Sequence, residues 1–147
     1  MTELHGNLSG IRDSHIKQIE ELYQYPVGSD EFLPPDLARI LAGHSAAINR
    51  EISIYISRGG DVLDITVGYL DNVSLAELSL RRSRERLSMV RCIHTHPGGS
   101  AHLSDVDLTA LKTLRLDAMC ALGVDGQGRV TGVTAAFLGE RVDGVPQ

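Results

Sequence analysis

Between Ile52 and Val67 the apolar pattern of the chain changes period, and that change restricts the folds open to it. Ile52, Ile54 and Ile56 alternate with Ser53, Tyr55 and Ser57, which predicts a half-buried strand. Arg58-Gly59-Gly60-Asp61 predicts a hairpin turn, because paired glycines supply the positive φ such turns need, and Val62 to Val67 returns as a second strand. Upstream the spacing is helical. Ile16, Ile19, Leu22 and Tyr23 predict a helix within Arg12 to Tyr25. Leu37, Ile40, Leu41 and Ile48 form the stripe of a second helix, entered through Pro34-Pro35.

Downstream, Ser74 to Ser88 predicts a helix with Leu75 and Leu78 facing inward. Met89 to Thr95 has the length of a short apolar strand. A loop from Pro97 to Leu103 carries Gly98 and Gly99, and a helix starts at Ser104 and runs to about Leu116. Two strands close the pattern, Ala118 to Val124 and Val130 to Leu138, joined by the turn Asp125-Gly126-Gln127-Gly128. Helices alternating with strands in a chain of 147 residues predict one α/β domain over 1–140, a three-layer mixed sheet with helices on both faces. Residues 141–147 are expected to be a loose tail.

The net charge of -5 argues against a general nucleic-acid surface, which shows as a basic excess. One local exception is the run Arg81, Arg82, Arg84 and Arg86. It reads either as a solvated helix face or as a patch that contacts phosphate or RNA, on a ribosome for example. Cys92 and Cys120 sit in apolar runs, which predicts two buried thiols and fits a reducing cytosol better than secretion. The start Met1-Thr2-Glu3-Leu4-His5 predicts no signal peptide, and no apolar stretch approaches bilayer length, so a cytoplasmic protein without a membrane partner is expected.

The residues that carry chemistry stand around His94-Thr95-His96. Residues two apart on a strand point to one face, so both imidazoles can converge on one ion. Asp107 follows in the first turn of the next helix. Two imidazoles and a carboxylate suit zinc, and three protein ligands leave a fourth position for water, the catalytic arrangement. The same residues have a plainer reading: loop histidines are common, and Ser104-x-x-Asp107 is also the pattern of a helix capping box. Cys92 shares strand parity with the histidines but reads as a small core residue, and His102 reads as an exposed loop histidine.

His94-Thr95-His96-Pro97, followed after six residues by Ser104 and two further on by Asp107, resembles the JAMM (MPN+) motif of zinc isopeptidases and metalloproteases. The resemblance implies a JAMM/MPN-like (cytidine-deaminase-like) fold, with His94, His96 and Asp107 as zinc ligands and Ser104 as partner of the oxyanion. It also implies a glutamate on an early strand that moves protons. Glu51, at the start of the first strand, fits that place better than Glu31 in a loop or Glu77 just before the histidine strand.

A second resemblance covers more of the chain. Gly6-Asn7-Leu8-Ser9-Gly10-Ile11, then Ile48 to Ile56, then Leu108 to Asp117, look like the N-terminal domain of the ribosome-associated GTPase HflX, with RadC-type proteins next. No Gly-x-x-x-x-Gly-Lys-Ser/Thr loop is present, so no guanine-nucleotide chemistry is expected from these residues. The chain is expected to be such a domain without its GTPase partner domain, or a free-standing relative. The resemblances imply a zinc-dependent hydrolase of peptide or isopeptide bonds. The alternative is a non-catalytic ribosome- or protein-binding module whose zinc is structural or vestigial.

Overall fold

The computed structural model describes residues 3–69, 76–78 and 90–139. Six strands form one sheet: β1 (Leu4–Gly6), β2 (Ile52–Ser57), β3 (Val62–Val67), β4 (Val90–Pro97), β5 (Ala118–Val124) and β6 (Val130–Phe137). They lie in the order β1-β3-β2-β4-β5-β6. The β1/β3 and β4/β5 pairs are parallel and the other three antiparallel, so the sheet is mixed. The helices are α1 (Asp13–Glu20), α2 (Pro35–Ile48) and α3 (Asp105–Thr113), and residues 76–78 are also helical.

Cross-strand register sorts the side chains into two cores. One face carries Ile52, Ile54, Ile56, Ile93, Cys120 and Leu122, packed against Ile19 of α1 and against Leu37 and Leu41 of α2. The other carries Tyr55, Val90, Cys92 and Met119, packed against Ala110 and Leu111 of α3 and against Leu78. Helices therefore cover both faces, as the alternation of periods predicts. That covering corrects one expectation: β2 is buried from Ile52 through Ile56 rather than on alternate residues. A central strand between two helical layers has no solvent face, so its polar positions, Ser53 among them, are enclosed too.

Other differences are local. The first helix ends at Glu20 and tightens into a 3-10 turn over Glu21–Gln24. In α2 the inward stripe is Leu37, Ala38, Leu41, Ala42 and Ser45, while Ile40 is 38% exposed. β1 is too short for its period to show in the sequence. In the β2–β3 turn only Gly60 takes a positive φ, +96°, and a Cβ there would stand 2.1 Å from the Val27 carbonyl oxygen. The predicted helix over 74–88 lies outside the described residues except for 76–78, and so do Arg81, Arg82, Arg84, Arg86 and the tail 141–147. Among the described residues no helix is long and apolar enough to cross a membrane.

Candidate metal centre

Alternation along β4 turns His94 and His96 toward the α3 face. Their neighbours in β5 are Ala121 and Gly123, small residues that leave room for two rings. Thr95, between them, points the other way and is fully buried. Its hydroxyl oxygen accepts from the Ile52 N–H at 2.9 Å and the hydroxyl donates to Ser45 Oγ at 2.7 Å. Ser45 donates in turn to the Arg50 carbonyl at 2.6 Å. This run of hydroxyls ties β4 to β2 and α2 at the residue that separates the two histidines.

The third residue arrives from α3. Ser104 caps the helix: its Oγ accepts from the Asp107 N–H at 3.1 Å, and Asp107 Oδ2 accepts from the Ser104 N–H at 2.8 Å. The other carboxylate oxygen, Oδ1, lies 3.1 Å from His94 Nε2. His94 Nε2 lies 2.8 Å from His96 Nε2, which is 3.7 Å from Asp107 Oδ2. Capping and convergence on the histidines are thus both present: Oδ2 caps the helix and faces His96, and Oδ1 meets His94.

His94, His96 and Asp107 together could hold a metal ion, since one ligand atom from each lies within 4.8 Å of the others. The two imidazole nitrogens stand 2.8 Å apart, and Asp107 approaches His94 through Oδ1 at 3.1 Å and His96 through Oδ2 at 3.7 Å, distances near the roughly 3.3 Å between ligand atoms on tetrahedral bonds of about 2.0–2.1 Å. His94 and Asp107 are buried and His96 is half-buried, so an ion there would be held away from bulk water.

Protonation favours the same use. Burial, and then the neighbouring His94, hold His96 below the usual 6.5 of histidine. Burial pushes the Asp107 carboxyl up, but the His94 hydrogen bond and charge and the Ser104 N–H outweigh it, leaving Asp107 below its usual 3.8. Near neutral pH the pair is therefore imidazole and carboxylate, the forms that bind cations.

The loop after β4 fixes one ring. His96 Nδ1 lies 3.1 Å from the Ser100 carbonyl oxygen, so an Nδ1–H donates there and leaves Nε2 with its lone pair toward the centre. Gly123 permits that loop path: a Cβ on it would stand 2.6 Å from Thr131 Oγ1 and 2.9 Å from the Gly99 carbonyl oxygen. Thr131 Oγ1 donates to that same carbonyl at 2.8 Å.

Glu51 lies just before β2 and is half-buried. The register pairs Ser53 with His94, so two residues earlier Glu51 comes level with His96 at the same end of the sheet. A cleft of about 540 Å³ opens there, lined by Asn7, Arg50, Glu51, Tyr69 and Glu77 among others. The three convergent residues do not line it. Glu31 stands elsewhere. Its carbonyl accepts from Arg91 at 2.8 Å on the α2 face and its side chain accepts from the Gly28 N–H at 3.3 Å, so the sheet separates it from the histidines. Ser104 is exposed, and with its oxygen used as acceptor its O–H is left to donate. Cys92 shares the histidine face, but burial pushes its thiol far up and it stands outside the convergent group. His102 is exposed and outside the group as well.

Sequence reading missed Thr95, Ser53 and Gly123. The first two were visible as polar residues at strand positions, and the third only as a glycine inside an apolar run. Compared with protein-family models and with curated proteins, the chain matches none.

Proposed function

We propose that this domain is a zinc-dependent hydrolase of amide bonds, of the JAMM type and with the JAMM/MPN-like fold that the motif implies. A parent protein of the HflX kind, lacking its GTPase domain here, is part of the same reading. The observation that carries it is the meeting of His94, His96 and Asp107, two imidazoles and one carboxylate, with the Ser104 hydroxyl one helical turn from the carboxylate. Zinc held by that set supplies a Lewis acid that polarises a carbonyl and acidifies water near neutral pH.

The chain's own residues do the rest. The Glu51 carboxylate accepts a proton from the attacking water and returns it to the leaving amine. The Ser104 O–H donates to the oxyanion that develops on the substrate carbonyl. The cleft beside Glu51 admits an extended peptide or isopeptide substrate from the open end of the sheet. The test has two parts. Metal analysis of protein grown with zinc should find close to one equivalent in the wild type and little in His96→Ala. Cleavage of peptide and isopeptide reporters should be lost in Glu51→Gln while zinc is retained. A wild-type protein empty of metal under zinc-replete conditions overturns the reading.

A further inference from the structure

The Nδ1 of His96 is oriented by Ser100, but no comparable partner among the described residues meets the Nδ1 of His94. Its ring is fully buried, and Nδ1 has no hydrogen-bond partner among the described residues. Among the described residues the other buried side-chain atom in that condition is Ser53 Oγ. These two belong to residues directly opposite each other in the β2/β4 ladder. Opposed residues of an antiparallel pair present their side chains to the same face, with Cβ atoms about 4.5–5.5 Å apart.

The row continues past Ser53. Thr66 of β3 is its partner on the far side, and the Thr66 hydroxyl donates to Asp64 Oδ1 at 2.9 Å. Asp64 is 2% exposed, and His5 Nε2 stands 4.0 Å from its Oδ2. Four side chains on one face thus run from a buried carboxylate to a candidate ligand: Asp64, Thr66, Ser53, His94.

The directions of donation are set at both ends. An imidazole that gives Nε2 to a cation must carry its proton on Nδ1, and that buried N–H then needs an acceptor. Thr66 gives its proton to Asp64, and a hydroxyl oxygen accepts as well as donates. Ser53 lies between, with the same two capacities.

We propose that Ser53 is the positioning residue of the metal centre. With a cation on Nε2, the two atoms that lack partners in the metal-free fold pair: the His94 Nδ1–H donates to Ser53 Oγ and the Ser53 hydroxyl to Thr66 Oγ1, while the Thr66 hydroxyl already donates to Asp64. The row fixes the ring and the tautomer of His94 and transmits the charge of Asp64 to it through two hydroxyls, a lengthened form of the carboxylate–histidine pair that commonly supports zinc. The inference rests on the metal reading above, and it assigns a role to Ser53, Thr66 and Asp64, none of which belongs to the histidine–aspartate motif.

Zinc affinity, measured by competition with a chromophoric chelator, should fall about 10–100-fold in Ser53→Ala. Metal-free Ser53→Ala should melt no lower than wild type, because the hydroxyl removed is unpaired in the metal-free fold. A merely structural role would instead lower the melt and leave affinity alone. Thr66→Val, which keeps shape and loses the hydroxyl, should weaken zinc binding as well, and Thr66→Ser should restore it. In the zinc-loaded wild type, a slowly exchanging His94 Nδ1–H should appear in long-range proton–nitrogen spectra and be lost in Ser53→Ala. Zinc affinity within twofold of wild type in Ser53→Ala overturns the role of Ser53 while leaving the metal reading intact. A wild type that binds no zinc removes both.

Discussion

Thr95 stands between the two histidines in sequence and on the opposite side of the sheet in space. Its hydroxyl satisfies the Ile52 N–H and hands its own proton to Ser45, so a single side chain closes two hydrogen bonds in a fully buried place. Thr95→Val conserves shape and removes both, leaving a buried amide N–H without its acceptor. The expected loss of stability is about 1–3 kcal/mol by urea denaturation, with Thr95→Ser recovering most of it. Gly60 is constrained differently. Its positive φ and the Val27 carbonyl against it leave no room for a Cβ, so Gly60→Ala should destabilise the fold through strain, whereas Gly59→Ala, free of backbone contact, should cost far less.

Between elements, the contact of α1 with α2 contains a pair of histidines. His15 Nε2 lies 2.9 Å from His44 Nδ1, one ring donating to the other. Burial, and then the charge of His15, hold His44 below 6.5 against the opposing pull of Glu21. Between that lowered value and 6.5 the unfolded chain carries a proton that the folded chain lacks. Stability therefore rises with pH across the window and is lost as pH falls through it. The urea midpoint should decline as the buffer is taken from neutral to below 6.5, and His44→Gln should make that decline shallower.

The scale of elements also decides what could be read in advance. His94, His96 and Asp107 were legible because a strand period and a helix start within fourteen residues fix their relation. The row Thr66–Ser53–His94 depends on which strands pair and in what register, and apolar periodicity carries no such information. β1 was not legible for the related reason that three residues offer no period. Glu51 was placed through its likeness to a motif, and its position beside His96 follows only once β2 and β4 are aligned.

For the molecule as a whole, the centre joins the end of β4 to the start of α3, two segments otherwise linked by the glycine loop, so a bound ion adds a cross-link to the folded state alone. Ligand binding to the folded form stabilises by RT ln(1 + [L]/Kd), about 2.7 kcal/mol at a hundredfold excess over Kd. Zinc should raise the urea midpoint by that order, and a chelator should reverse it. The capping box makes it possible to separate the two duties of this pair. Asp107→Asn keeps an oxygen for the Ser104 N–H, so the metal-free variant should melt near wild type, but zinc should no longer shift it. Ser104→Ala should do the reverse, lowering the metal-free stability by about 0.5–2 kcal/mol as a lost cap while zinc still stabilises. If both variants lose the zinc response equally, Ser104 acts on the centre beyond its cap. If neither does, Asp107 serves the helix alone and the two histidines are not completed by it.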